Sequence, residues 1–132
     1  MKHVCTHTVR GYELDAYGHV NNAVYLNYLE YARGEFLKAI GFDYDGYMKA
    51  GFGFWVVRIE IDYRLPALMG QELRIESEVR ERKNTYGVIH QTASSPDGLC
   101  VEALVKWAFV DLASGRPARI PPEFDRPELN LQ

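Results

Sequence analysis

The residue in this sequence best suited to chemistry is a carboxylate in a segment rich in turn-forming residues. Asp15 lies about seven residues before the start of a predicted helix, and Gly18 in the same segment permits a tight backbone. The first turn of a helix offers unpaired backbone N–H groups, which can hold a carbonyl oxygen as it gains negative charge. A nearby carboxylate can attack the carbonyl carbon or activate a water molecule to do so. The spacing suits acyl chemistry; an Asp15 that only closes a turn and caps the helix would give the same pattern.

The element that must position these backbone donors is one long amphipathic helix. Hydrophobic residues recur at steps of three and four from residue 23 to residue 40, which is the period of a helix with one buried face. Asn21 or Asn22 is suited to cap its N-terminus, and Gly41 is suited to end it. The predicted buried face comprises Tyr25, Tyr28, Leu29, Ala32, Phe36, Ala39 and Ile40.

Most of the remaining sequence alternates between apolar and polar residues, as strands do. Strands are predicted over residues 4–12, 54–64, 72–82, 86–94 and 99–111, and a short helix over residues 44–50. In the second strand we expect one face to carry Val57, Ile59, Ile61 and Tyr63. In the third strand Leu73, Ile75 and Val79 should point inward. A run of strands beside one helix predicts the α+β class with an antiparallel sheet.

One helix can cover only one face of such a sheet, so part of the apolar surface needs another partner. A second copy of the chain can supply it, and we therefore expect a homodimer or homotetramer.

The composition is that of one ordinary globular domain over residues 1–132, with 47% hydrophobic and 25% charged residues. The formal net charge is −3, so no overall positive field exists to attract nucleic acid or an anionic membrane. Cys5 and Cys100 are isolated, no secretory signal is visible, and no apolar run is long enough to span a bilayer. These features predict a cytoplasmic protein without nucleic-acid or membrane partners. The histidines lack metal-ligand spacing and no phosphate-binding glycine loop is present, so no cofactor is expected.

Several short motifs together resemble one family. The sequence reads DAYGHVNNAVY over residues 15–25, YLE over residues 28–30 and AR at residues 32–33. A later DYR stretch at residues 62–64 runs into PA at residues 66–67 and GQ at residues 70–71. From about Thr6 to Val110 the chain resembles the 4-hydroxybenzoyl-CoA thioesterase-like family of hotdog-fold enzymes. The resemblance implies a five-stranded antiparallel sheet wrapped around one long central helix. It also implies hydrolysis of a small acyl- or aroyl-CoA thioester to the free acid and CoA.

The resemblance assigns roles to residues of the turn-rich segment. Asp15 falls where the catalytic carboxylate stands, as nucleophile or as general base. Asn22 falls at the helix start, where a backbone N–H polarises the thioester carbonyl, and Gly18 keeps the loop close to the substrate. His19 is a candidate for a second acid/base group, with loop ordering as the alternative.

The acyl pocket should be lined by aromatic side chains. The candidates by position are Tyr17, Phe52, Phe54 and Trp55, and Tyr25 matches an aromatic residue of the family. For each of them ordinary packing is the alternative.

A CoA substrate also carries phosphates, which need local positive charge in a protein whose net charge is negative. Arg82 and Lys83, with Thr85, cluster where the third predicted strand runs into its hairpin, and we expect them to bind these phosphates. The alternative is a solvated hairpin whose basic residues protect an edge strand.

Two other functions are compatible with the same fold. The first is a non-catalytic acyl-CoA-binding module, which binds the ligand without turnover. The second is a hotdog hydratase or dehydratase, which requires a catalytic histidine placed with an aspartate. Only His19 could serve there, and the spacing of Asp15 and Gly18 matches the thioesterase pattern better. Hydrolysis at a site shared between two subunits is therefore the predicted function.

Overall fold

A five-stranded antiparallel sheet with one long helix against its inner face forms the body of the protein. This computed structural model describes residues 2–131. The strands are β1 (Lys2–Thr8), β2 (Phe52–Tyr63), β3 (Glu72–Arg82), β4 (Tyr86–Ser95) and β5 (Gly98–Asp111), and the helices are α1 (Val24–Ala39) and α2 (Tyr44–Lys49). The strand order is β1-β3-β4-β5-β2. The predicted α+β class is confirmed.

The core lies between α1 and the inner face of the sheet. The buried residues of α1 are Tyr25, Tyr28, Leu29, Ala32 and Phe36, as the helical period predicts. Ala39, which was also predicted to be buried, is exposed. On β3 the expected residues Leu73, Ile75 and Val79 are buried too. A hydrogen-bonded chain joins the two layers: the Arg33 guanidinium donates to Gln91 Oε1, and Gln91 Nε2 donates to the Leu29 carbonyl. This chain fixes α1 on the sheet at a buried glutamine.

Several predicted boundaries were wrong, and two of them lie beside the Asp15 segment. The first strand ends at Thr8 rather than at residue 12, because Val9 already bonds the turn before β3: its N–H donates to the Gln71 carbonyl. The long helix begins at Val24, and Ala23 at its N-cap position has no side-chain cap. The Asn21 side chain instead bonds the residue just before the helix: its Oδ1 accepts a hydrogen bond of 2.9 Å from the Ala23 N–H.

Two β-bulges change which side chains face inward. In β2 the register with β5 shifts between Val56 and Arg58, and Val57 is 56% exposed. Val57 therefore does not share the face of Ile59, because the extra residue of a bulge interrupts the alternation. Phe54 and Val56, paired with Phe109 and Trp107, take the inward positions before the bulge.

The second bulge lies in β3 between Val79 and Glu81. Beyond it Arg82 pairs with Gly87 of β4, two residues from the buried Ile89, and so lies on the inner face. Strict alternation would have placed Arg82 outside.

The outer edge of β2 has no strand partner within the described residues. It is apolar: Trp55, Val56 and Val57 are all more than two-fifths exposed. An exposed apolar edge strand is a ready template for pairing with another chain.

A buried carboxylate anchors the segment that leads to Asp15. Glu13, at the end of a 3₁₀ turn over Gly11–Glu13, is 8% exposed. Its carboxylate accepts from the Arg10 N–H at 2.7 Å and lies 3.1 Å from Nε2 of His7 on β1. Burial alone would raise the pKa of Glu13. The hydrogen bonds from Arg10 and His7 outweigh that effect and hold this pKa below its usual range.

We expect this carboxylate to make folding acid-sensitive. Below about pH 4.5, the ordinary pKa of glutamate, the unfolded chain binds a proton that the folded chain still excludes, so the free energy of unfolding falls as the pH decreases. In Glu13→Gln this contribution is absent. Urea unfolding between about pH 6 and pH 3 should show a smaller loss of stability in Glu13→Gln than in the wild type. The exposed Glu72→Gln is the control; an equal loss in all three proteins would contradict the prediction.

Candidate active site

The Asp15 loop is a short hairpin closed by its own backbone. Leu14 and Val20 form an isolated antiparallel bridge, and inside it the Asp15 N–H donates to the His19 carbonyl at 2.7 Å. Gly18 has a φ of +76°, which only glycine adopts without strain at this turn. The sequence expectation that Gly18 permits a tight loop agrees with this geometry.

One oxygen of the Asp15 carboxylate is fixed and the other is not. Asp15 Oδ1 accepts from the backbone N–H groups of Tyr17 at 2.9 Å and His19 at 3.3 Å. Oδ2 has no hydrogen-bond partner or ion pair among residues 2–131. The side chain thus has a defined orientation and keeps one oxygen available for another molecule.

The start of α1 presents an unpaired backbone donor beside this loop. The N–H groups of Ala23 and Val24 are taken by the Asn21 side chain and carbonyl. The N–H of the exposed Asn22 has no partner in the described part of the chain. The Asn22 carbonyl accepts a 2.9 Å hydrogen bond from the Tyr63 hydroxyl at the end of β2. This bond attaches the helix start to the sheet.

His19 and Tyr17 belong to the loop itself. The backbone of His19 bonds Asp15 and forms a bridge with Leu68, so it orders the loop; its ring has no hydrogen bond within the described residues. Tyr17 is 83% exposed beside Asp15.

Tyr25 lies beneath the helix start. It is only 3% exposed, and its hydroxyl accepts from the Ala67 N–H at 3.1 Å. Burial raises the pKa of Tyr25, and the negative charge of nearby Asp15 adds to that effect. Tyr25 therefore packs under the helix start.

Arg82 is engaged inside the protein rather than exposed on the hairpin. Its guanidinium donates to both carboxylate oxygens of Asp125, at 3.0 and 2.9 Å, and lies 4.7 Å from the centre of the Phe109 ring. The bulge in β3 turns this side chain inward, and only 10% of it is exposed. Arg82 is therefore not the exposed cation that the hairpin pattern predicted. Lys83 is exposed in the turn, and Thr85 is half-buried beside it.

The hairpin of Lys83 and Thr85 lies far from the Asp15 loop within one chain. The Thr85 carbonyl accepts from the Phe109 N–H near the end of β5, whereas Tyr63, beside Asn22, pairs with Val101 near its start. Eight residues of strand separate those positions, ~26 Å at ~3.3 Å per residue.

A cavity of about 350 Å³ opens between the C-terminal half of α1 and the sheet. Its walls are mainly apolar and aromatic. The lining residues are Glu30, Arg33, Gly34, Phe36, Leu37, Lys38, Phe42, Tyr44, Phe54, Val56, Ile89, Trp107 and Leu129. Of the aromatic residues expected near a pocket, Phe54 lines this cavity. Tyr17, Tyr25, Phe52 and Trp55 do not. Sequence patterns missed Trp107 and Leu129, because nothing local marks a residue that lines a space between distant elements.

Residues 2–131 have neither a metal-binding cluster nor a membrane-spanning helix. They contain no cluster of three or more side chains that could hold a metal ion. None of their helices is long and apolar enough to cross a membrane.

Most of the chain is similar to known proteins. Residues 9–127 match the model of the thioesterase-like superfamily. The long-chain acyl-CoA thioesterase FadM of Escherichia coli K12 is 40% identical over 107 residues, which span 79% of this chain and 80% of FadM. The acyl-CoA thioesterase YbgC of Haemophilus influenzae is 32% identical over 112 residues, or 84% of this chain and 82% of YbgC.

A solved structure agrees with these relatives. The probable thioesterase YbaW from Escherichia coli superposes with a TM-score of 0.79 at 35% identity, covering 92% of both chains. Together with the sheet order and the helix described above, these similarities show that the chain belongs to the thioesterase-like superfamily of hotdog-fold proteins and is a thioester hydrolase.

Proposed function

We propose that this protein hydrolyses acyl-CoA thioesters to the free acid and CoA, with Asp15 as the catalytic carboxylate. One observation carries the proposal: the unpaired Asp15 Oδ2 and the unpaired Asn22 N–H lie at the two ends of the same short loop. A thioester carbonyl that accepts from the Asn22 N–H would place its carbon within reach of a group on that loop. Hydrolysis of a thioester needs both a donor for the carbonyl oxygen and a group that attacks the carbonyl carbon or activates water.

The chemistry follows from these two groups. As negative charge develops on the carbonyl oxygen, the Asn22 N–H and the α1 dipole stabilise it. Asp15 then acts in one of two ways. It attacks the carbonyl carbon, expels the CoA thiolate and gives a mixed anhydride that water hydrolyses; or it accepts a proton from the water molecule that attacks. In either route the thiolate leaves without a strong general acid.

The active form is a dimer joined through β2 in this proposal. The apolar edge at Trp55, Val56 and Val57 supports antiparallel pairing of β2 with its copy, which would bury that edge and continue the sheet.

Such pairing also explains where the parts of the site lie. Asn22 is attached to the end of β2 at Tyr63, whereas the cavity is bounded by Phe54 and Val56 near its beginning. Two antiparallel copies of β2 would bring the helix start of one chain to the cavity of the other. Each active site then combines the Asp15 loop of one subunit with the cavity and hairpin of its partner.

The cavity suits the acyl half of the proposed substrate, and the hairpin suits its CoA half. Apolar walls around 350 Å³ suit an acyl or aroyl group, and the named relatives FadM and YbgC are acyl-CoA thioesterases. At ~30 Å³ for an atom the size of a water molecule, this space holds roughly a dozen such atoms. Lys83 supplies exposed positive charge for the phosphates of CoA, with Thr85 beside it, while Arg82 remains paired to Asp125.

We expect Asp15→Asn to lower kcat by about 100-fold or more, because the amide can neither attack the carbonyl nor accept a proton. Thiol release from an acyl-CoA panel measures the rate, and circular dichroism checks the fold. Asp45→Asn is a matched control, since Asp45 is an exposed aspartate on α2 paired only with Lys49. Turnover of Asp15→Asn close to the control would remove Asp15 from the mechanism.

Lys83→Ala should raise KM severalfold with little change in kcat, because the phosphates bind away from the reacting carbonyl. The salt dependence of KM should also weaken, since one screened attraction is lost. Lys49→Ala, at another exposed lysine, should leave KM unchanged. If KM and its salt dependence match the wild type, the hairpin is an ordinary solvated turn.

Val57→Lys should convert the dimer to monomer, because a charge on an edge strand opposes pairing. Sedimentation velocity measures the mass, and thiol release should fall in parallel if the site is shared between subunits. Leu131→Lys, at an exposed leucine in the C-terminal segment, controls for the added charge. A monomer that keeps full activity would contradict the shared site.

A further inference from the structure

The last part of the chain closes one end of the cavity. Leu129, in a 3₁₀ turn over Pro127–Leu129, lines the cavity and is 1% exposed. Arg126, the residue just before this turn, lies against Gly41 at the C-terminal end of α1. Its Nη2 atom is 3.9 Å from the position that a Cβ atom would occupy on Gly41. The turn is therefore at the opposite end of α1 from Asn22.

Burial distinguishes the mouth of the cavity from its floor. The mouth (Glu30, Tyr44 and Val56) consists of exposed residues, with Val56 on the open edge of β2. The floor (Phe36, Ile89 and Leu129) consists of residues at most 2% exposed. A ligand that enters from the mouth would end against these three floor residues, of which Leu129 is one.

The floor residues differ in what holds them. Phe36 belongs to α1 and Ile89 to β4, so regular structure fixes both. Leu129 belongs to an irregular segment, which is attached to the body of the protein by the Arg82–Asp125 ion pair. Next to that pair, Phe124 packs edge-on against Tyr47, with 5.5 Å between ring centres. The position of Leu129 thus depends on contacts that its own segment makes.

We propose that Leu129 sets the longest acyl chain the enzyme accepts, and that the Arg82–Asp125 ion pair holds Leu129 in that position. The inference rests on the proposed function, because it takes the cavity to be the acyl site. Arg82 is then a positioning residue: it acts on chain-length selection through the C-terminal segment and does not touch the substrate.

The test compares two opposite changes at the floor. kcat/KM is measured for a series of straight-chain acyl-CoAs from butyryl- to palmitoyl-CoA. Leu129→Ala deepens the cavity and should move the preferred chain to a longer one, whereas Leu129→Phe should move it to a shorter one. A methylene group that gains an apolar contact raises kcat/KM by about fourfold, and one that loses its contact lowers it equally. Leu131→Ala, at the exposed leucine two residues away, should keep the wild-type profile.

The ion pair is tested in the same series with Asp125→Asn, which removes the charge and keeps the size. We expect the ratio of kcat/KM between the preferred chain and longer chains to fall severalfold, because Leu129 is no longer held. A structural role alone would lower stability and leave this ratio unchanged.

The outcomes separate the inference from the function on which it rests. If the wild type hydrolyses acyl-CoAs and neither Leu129 variant shifts the preferred length, the role of Leu129 is overturned. If Asp125→Asn keeps the wild-type ratio, the role of the ion pair is overturned. If the wild type releases no thiol from any acyl-CoA, the proposed function itself fails. Should Leu129→Ala not fold, Leu129→Phe still decides the first question.

Discussion

Three hydrogen bonds fix the first turn of α1 to the rest of the protein. The position of the Asn22 N–H relative to Asp15 depends on them. The Asn21 N–H donates to the Glu13 carbonyl, the Tyr63 hydroxyl donates to the Asn22 carbonyl, and the Tyr25 hydroxyl accepts from the Ala67 N–H. These bonds join the helix start to the 3₁₀ turn, to the end of β2 and to the connection after it. A backbone donor can stabilise developing charge only if it is already in place when the charge appears, because reorganisation then costs nothing.

The hydrogen bond between Tyr63 and Asn22 also links the helix start to the exposed edge strand β2. Since Asn22 is bonded to Tyr63, any arrangement of two β2 strands also fixes where the two helix starts lie. The apolar cavity lies at the opposite end of the strand, beside Phe54 and Val56. A single chain therefore keeps its carboxylate loop and its cavity apart, and in our proposal pairing of the strands brings them together. In a dimer of that kind the short chain would obtain a pocket with walls on both sides.

Local sequence patterns were enough to predict the elements. The helical period predicted the buried face of α1, apart from Ala39, and alternation predicted the inward residues Leu73, Ile75 and Val79 of β3. The turn-forming residues around Asp15 and Gly18 predicted a tight loop before the helix. These predictions hold because side-chain direction in a regular element follows from its period alone. The first strand was placed too far along because the residues after Thr8 have strand propensity but bond a loop instead.

The sequence by itself thus determined the α+β class, the loop with its carboxylate and the long helix, because each follows from contacts between near neighbours. Only the tertiary structure decided the placement of Arg82 and the shape of the cavity. One extra residue in β3 turns Arg82 from the hairpin surface to Asp125, some forty positions away, and one in β2 leaves Val56 rather than Val57 at the cavity. A bulge reverses every later side chain of its strand, and whether one forms depends on the neighbouring strand, which no local pattern contains.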